Sequence, residues 1–339
     1  MNATQNGPKV VKESKNKIRV EFERTSAWER FKLKYLSLNF LGTAIWTIFR
    51  YVLLIGISYA ILYPFFAKIS SSFMSKTDFV DVTVKLIPKN PTLDTYKAII
   101  VDNSYFTALF NTALLSIFCG LVQTFICCVV GYGFAKFKFK GNSLVFFLVI
   151  FTMVVPHETL MLSMFMKFRF FDIYGIIEAI TGNSINLLNT YWPLALLSVT
   201  GLGFKNGLYI FMMRQFFRGV PDELEESAYI DGSGVFRTFI TIIIPLSVPM
   251  MITIFLFAFS WQWTDDFYTE VFFTQTGLHL LKDITETPKS LDTKFAGENM
   301  YLSAISNAAG LLIIAPLIVV YLFCQKYLGQ GIERSGIVG

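Results

Sequence analysis

Val220-Pro221-Asp222-Glu223-Leu224-Glu225-Glu226-Ser227-Ala228-Tyr229-Ile230-Asp231-Gly232-Ser233-Gly234 is a polar stretch between two apolar runs, where a short turn would suffice to join them. Pro221 is placed to open a helix, because its fixed φ and missing N–H suit a first turn. Asp222 and Glu223 favour that turn by meeting the positive end of the helix dipole. Leu224, Ser227 and Ala228 fall on one side at helical spacing. That side is small and shallow, a shape that enters a partner's cleft without steric conflict. Gly232 and Gly234 end the helix. Val235, Phe236, Phe239, Ile240 and Ile243 then begin a second apolar helix that meets Pro245. A helix–turn–helix held between two apolar runs suits mechanical coupling to a soluble partner. It equally describes an amphipathic loop resting on lipid headgroups.

The rest of the chain says what holds this segment. Of 339 residues, 54% are hydrophobic and only 16% charged, against roughly 25% charged in a typical soluble protein. Mean hydropathy is +0.53, and there are 36 Phe and 15 Tyr. Disorder is excluded, since it needs few apolar groups and many charges. A soluble enzyme is excluded as well, because so few polar side chains do not cover a surface. The chain reads as an integral membrane protein. Its net charge of +5 is modest, and most Lys and Arg flank apolar runs. That placement is a topology signal rather than a nucleic-acid footprint. Cys119, Cys127, Cys128 and Cys324 all lie inside apolar stretches and read as small buried hydrophobes, not as metal ligands or disulfides.

Residues 1–45 form a mixed-charge tail without the short apolar core and cleavage site of a secretory signal, and are expected to stay attached on the cytoplasmic side. Six spans of about 20 apolar residues follow. They are expected at Tyr51–Ala67, Tyr105–Phe134, Ser143–Met166, Asn189–Met213, Pro245–Thr264 and Leu302–Cys324. A short surface helix is expected around Asn90–Ile100, after Pro91. Lys136, Lys138 and Lys140 mark the cytoplasmic end of the second span, and Arg214, Arg218 and Arg237 put the polar insert on the same side. Both termini are then cytoplasmic.

Several motifs together resemble the permeases of bacterial ABC importers. Glu226-Ser227-Ala228, then Asp231-Gly232, Phe239 and Pro245-Leu246, look like their EAA loop, with Ser for the middle Ala as the one clear departure. Gly131-Tyr132-Gly133-Phe134-Ala135-Lys136-Phe137-Lys138-Phe139-Lys140-Gly141 is similar to the end of the corresponding span in carbohydrate-type permeases. Phe211-Met212-Met213-Arg214-Gln215-Phe216-Phe217 and Pro221 precede the loop as they do there. Trp261-Gln262-Trp263-Thr264-Asp265-Asp266-Phe267 resembles their Trp-Asn-Asp-Phe region, and Gly331–Gly339 the tail of maltose-type permeases. The resemblance covers about residues 45–339.

It implies an all-α integral membrane fold of about six transmembrane helices, with a cytoplasmic EAA coupling helix between spans four and five. The domains are then a tail, 1–45, and a permease domain, 46–339, whose coupling loop is about 214–244. It implies a second, homologous permease, two ATP-binding-cassette ATPase subunits and an extracytoplasmic solute-binding protein, all at a bacterial cytoplasmic membrane. No cofactor is expected on this chain; ATP and Mg belong to the ATPase subunits, and the chain carries no G-x-x-x-x-G-K-[ST] loop. Leu224, Glu226, Ser227, Ala228, Asp231 and Gly232 are the implied docking residues. Glu226 is expected to meet a cation of the ATPase, and Gly232 to permit the tight turn.

A sugar solute needs hydrogen-bonding and aromatic groups in the spans. Glu158 is the sharpest candidate, because a carboxylate at membrane depth usually faces a cavity. His157 sits beside it, and Pro156 is placed to kink the helix. The pair is not a zinc-protease motif, since position 161 is Met161. Trp261, Gln262, Trp263 and Asn307 complete the pathway set, although tryptophans near span ends also form interfacial belts. The expected function is import of a sugar, preferably an oligosaccharide, by ATP-driven alternating access. A polyol or glycerol phosphate permease and a stand-alone secondary transporter are the alternatives.

Overall fold

The computed structural model describes residues 38–203, 205–274, 278–295 and 297–334, and among them the secondary structure is helical, with one isolated antiparallel bridge between Phe171 and Ile185. The tail before Leu38 and the terminal motif from residue 335 lie outside the described residues. The chain divides into two compact units, Met1–Ala67 and Lys68–Gly339.

In the first unit α1, Leu38–Ser72, begins inside the expected tail and runs on past the unit's end. Its residues Ile45, Trp46, Phe49, Val52, Ile55, Tyr59 and Phe66 are exposed and apolar on every side. A helix with no polar face and this length suits a bilayer.

In the second unit a short helical stretch, Lys76–Val80, precedes α2, Asp94–Asp102, which lies where the surface helix was expected. Helix α3, Tyr105–Lys136, is the expected second span in one piece. The expected third span is broken: α4, Asn142–Thr152, and the segment His157–Arg169, which contains α5, Met161–Arg169, meet at 93°. Pro156 stands in the break with φ −63° and ψ 126°, and its ring denies the helix a continuing N–H. The expected fourth span is also divided, into α6, Trp192–Val199, and α7, Asn206–Arg218. Gly201 and Lys205, at φ 73° and 64°, turn the chain between them. Among the described residues four helices are thus long and apolar enough to span, or five if the bent pair is one.

After α7 come α8, Glu223–Ile230, and α9, Val235–Trp263. Helix α9 starts ten residues before the expected Pro245 and contains a wider, π-type turn at Phe239–Ile243. It is followed by the short α10, Phe267–Phe272, and by α11, Glu298–Arg334. Helix α3 is the central element, packed along α7 and α9, and α9 packs in turn on α11. Where lipid surrounds the helices, their association rests on close packing rather than on exclusion of water. Small residues supply the approach: a Cβ on Gly131 of α3 would lie 2.5 Å from the Cβ of Met213 on α7. Around that contact Cys127, Tyr132, Tyr209, Phe217, Ile243 and Met250 form one buried cluster. A second joins Ile99, Tyr105, Trp263, Tyr301 and Ile305. Cys119, Cys127 and Cys128 are buried free thiols, as expected, whereas Cys324 is only partly buried.

Candidate functional site

The polar insert folds as its sequence suggests. Helix α8 starts just after Pro221 and Asp222, ends at Ile230, and is followed by Gly232 at φ 79°. What ties it to the membrane helices is a charged cluster at the end of α3. Lys136 Nζ donates to the carbonyl of Val220 at 2.8 Å and to Asp222 at 2.5 Å, and stands 3.4 Å from Glu225 Oε1. The ammonium holds the Asp222 carboxyl below the ordinary carboxylate range, chiefly through that hydrogen bond. Tyr132 donates its hydroxyl to Glu225 Oε2 at 3.0 Å, and Tyr229 reaches the same oxygen at 3.4 Å. The Tyr132 ring packs against Phe137, Phe217 and Phe239. Glu225 is 7% exposed. An ion pair enclosed in this way couples two helices without a covalent bond.

Removing one partner of a buried pair leaves an uncompensated charge, at a cost of about 3–5 kcal/mol. Lys136→Met should therefore lower the thermal stability of the purified protein, and Lys136→Met with Glu225→Gln should recover much of the loss. A double variant no more stable than the single would show that the pair does not couple the two helices.

Leu224, Glu226, Ser227, Asp231 and Gly232 are exposed on the insert, which leaves them accessible to a partner. Ala228 is the exception. It is buried within the chain itself, so it packs α8 inward and lies off the exposed face. Ile230, 86% exposed, was not among the expected contacts and stands beside Gly232 on the open side.

The polar residues at membrane depth do not form one constellation. His157 and Trp261 line a cavity of about 500 Å³ with Lys205, Asn206 and Gly203, at the two helix breaks. Lys205 Nζ lies 5.1 Å from the centre of the Trp261 ring, and His157 Nδ1 is 3.4 Å from the Tyr268 hydroxyl. Gln262 and Trp263 line a different cavity, about 570 Å³, with Asp265, Asp266, Glu270 and Asp283. Burial pushes the Asp265 carboxyl up, against hydrogen bonds from Thr269 and Tyr268 that favour its charge. Trp263 is mainly a fastener: it is buried, and its Nε1–H donates to the Ile313 carbonyl of α11 at 2.9 Å. Asn307 donates to Ser71 Oγ at 3.1 Å, which makes it a helix-to-helix contact. Glu158 is exposed and lines neither cavity.

Residues 128–334 match the family model described as binding-protein-dependent transport system inner membrane component. The chain belongs to this family. The match takes in the end of α3, the insert with Glu225 and most of both cavities. Among its relatives is the galactooligosaccharides transport system permease protein GanQ of Bacillus subtilis, 26% identical over 301 residues, 86% of this chain and 95% of the relative. The maltodextrin transport system permease protein MalD of Streptococcus pneumoniae is 28% identical over 293 residues, 85% of this chain and 94% of the relative. A crystal structure of a bacterial ABC transporter involved in import of the acidic polysaccharide alginate shares the fold. It matches with TM-score 0.63 and 22% identity, covering 84% of this chain and 97% of that one.

As a member of this family the permease is a multi-pass membrane transport component and not itself an ATPase. Dependence on a binding protein sets the stand-alone transporter reading aside. Sequence reasoning missed two residues that matter to the permease's geometry. In the sequence nothing sets Glu225 apart from its acidic neighbours Glu223 and Glu226. Lys205 lies within the apolar run Asn189–Met213, which reads as one span; Gly201 and Gly203 are the available signal of a break.

Proposed function

We propose that this permease, with a second and homologous permease, forms the translocation path for a sugar, specifically an oligosaccharide. The relatives named for galactooligosaccharides and maltodextrin support that solute class. Two ATPase subunits bind ATP and Mg and drive alternating access, and a solute-binding protein delivers the sugar. This chain holds no cofactor of its own. In this reading the tail 1–45 is cytoplasmic, the domain 46–339 spans the membrane six times with both termini cytoplasmic, and the broken segments 142–169 and 192–218 each count as one span. Helix α8 is the EAA coupling helix between the fourth and fifth, within the loop 214–244.

The observation that carries the mechanism is the Lys136–Asp222–Glu225–Tyr132 cluster. Motion of α8 imposed by an ATPase passes straight into α3, because the joint is buried and charge-paired on the membrane side. Leu224, Glu226, Ser227, Asp231 and Gly232 form the docking face, while Ala228 seats the helix from behind. The solute passes the cavity of His157 and Trp261. Affinity purification of the tagged permease from its native membrane should bring down an ATPase and a second permease. Recovery of the tagged chain alone, in mild detergent and with intact fold, would sink the assembly.

A further inference from the structure

His157, Lys205, Asn206 and Trp261 line one cavity. The Asn206 carbonyl is 3.8 Å from Cys127 Sγ on α3. Cys127 precedes Lys136, the last residue of α3, by nine residues. At ~1.5 Å per residue that is roughly 14 Å, about half of a ~30 Å hydrocarbon core. Lys205 is therefore a mid-depth cation, although it joins two apolar helices and so resembles a span-end residue in sequence. A charge there is costly and marks a solute or ion route.

Three further observations give the cavity a sign. Helix α7, 13 residues long, opens on it through Asn206 and Gly207, bringing the positive end of its dipole to the same place. The Asn206 side chain is 2% exposed, and neither of its amide atoms has a hydrogen-bond partner in the protein. Among the described lining residues none is acidic. The neighbouring cavity, with Asp265, Asp266, Glu270 and Asp283, has the opposite character.

We propose that the cavity at Lys205 is a subsite for an anionic group on the transported sugar, the carboxylate of an acidic saccharide. Lys205 meets the charge and Trp261 lies beside it for the sugar ring, with Asn206 at the helix start as an amide of unmet hydrogen-bonding capacity. A phosphate on a sugar shares this chemistry. The inference rests on the sugar-permease reading and adds the charge of the solute to it.

The test is uptake by the complete importer in proteoliposomes with its native binding protein, using trigalacturonate, neutral trigalactose and a phosphorylated disaccharide as probes. The wild type should take up an anionic probe, and which one distinguishes carboxylate from phosphate. Lys205→Met should raise the KM for that probe roughly 10- to 100-fold, the size expected for one charge-assisted hydrogen bond. Lys205→Arg should recover most of it, with assembly of the complex unchanged. Uptake of the neutral probe alone, or an equal effect of Lys205→Met on every transported probe, overturns the anionic subsite and leaves the sugar reading standing. Uptake of no saccharide at all overturns both.

Discussion

Gly131→Ala should markedly reduce the amount and thermal stability of folded permease, whereas Gly133→Ala, two residues away on the same helix, should not. Both replacements gain up to ~1 kcal/mol of helix preference over glycine. They differ in what the new methyl meets. At 131 its Cβ would be 2.5 Å from Met213 Cβ and 3.1 Å from the Arg214 backbone nitrogen. At 133 there is nothing within 4 Å. The obstruction at 131 is the body of another helix rather than a flexible side-chain tip, so α3 and α7 must move apart. Overpacking of this kind costs about 1–3 kcal/mol, and separation also disturbs the buried cluster around Tyr209 and Phe217. Thermal unfolding followed by size-exclusion chromatography in detergent reads the difference. Equal midpoints for the two variants would show that α7 yields freely and that the close approach is dispensable.

A second glycine pair separates coupling from stability. Gly232→Val and Gly234→Val each place a branched side chain where nothing lies within 4 Å. Yet Gly232 has φ 79°, whereas Gly234 has φ −79° and ψ 162°, an extended conformation that valine adopts readily. Valine at the first position must leave the left-handed region, at a cost of roughly 1–2 kcal/mol or more if it stays. The turn between α8 and α9 then opens, and Ser233 loses its hydrogen bond to the Ala228 carbonyl, now 2.9 Å. In the reconstituted importer Gly232→Val should lower solute uptake at least tenfold while the ATPase subunits still hydrolyse ATP. Gly234→Val should retain most uptake. Full transport by Gly232→Val would show that the turn does not direct the coupling helix. A replacement at Glu226 acts on the face of α8 alone, and leaves this turn in place.

The two pairs also show what sequence can and cannot disclose. Helix α3 was legible end to end, since an unbroken apolar run and three lysines define both its length and its terminus. The helix–turn–helix was legible because proline, acidic residues and glycine each have a local mechanism. The two broken spans were not. Hydropathy counts apolar residues and is blind to whether the backbone bonds run on through them, so Gly201–Lys205 vanished into a run that composition alone declares continuous. The partners of Glu225 were hidden for another reason. Nothing distinguishes it from Glu223 or Glu226 until α3 is laid beside α8 and Tyr132 and Lys136 arrive 93 and 89 positions earlier in the chain. Trp263 and Asn307 were read as solute groups because polar atoms in a membrane invite that reading. Their hydrogen bonds to Ile313 and Ser71 show the commoner use, holding helices together.

The wider turn at Phe239–Ile243 sets how α8 is aimed. Phe239, Ile243 and Ser247 are buried at intervals of four, after which Met250, Ile254 and Ala258 continue at intervals of three and four. In a regular α-helix each step of four drifts about 40° around the axis. The slack turn absorbs that drift, so the membrane half and the segment next to α8 keep separate clocks on one unbroken rod. A regular α-helix of the same number of residues would carry about one residue's rotation more through this stretch and point its near end about 100° away. Direction here is fixed by a miscounted turn, and regularity would be the defect.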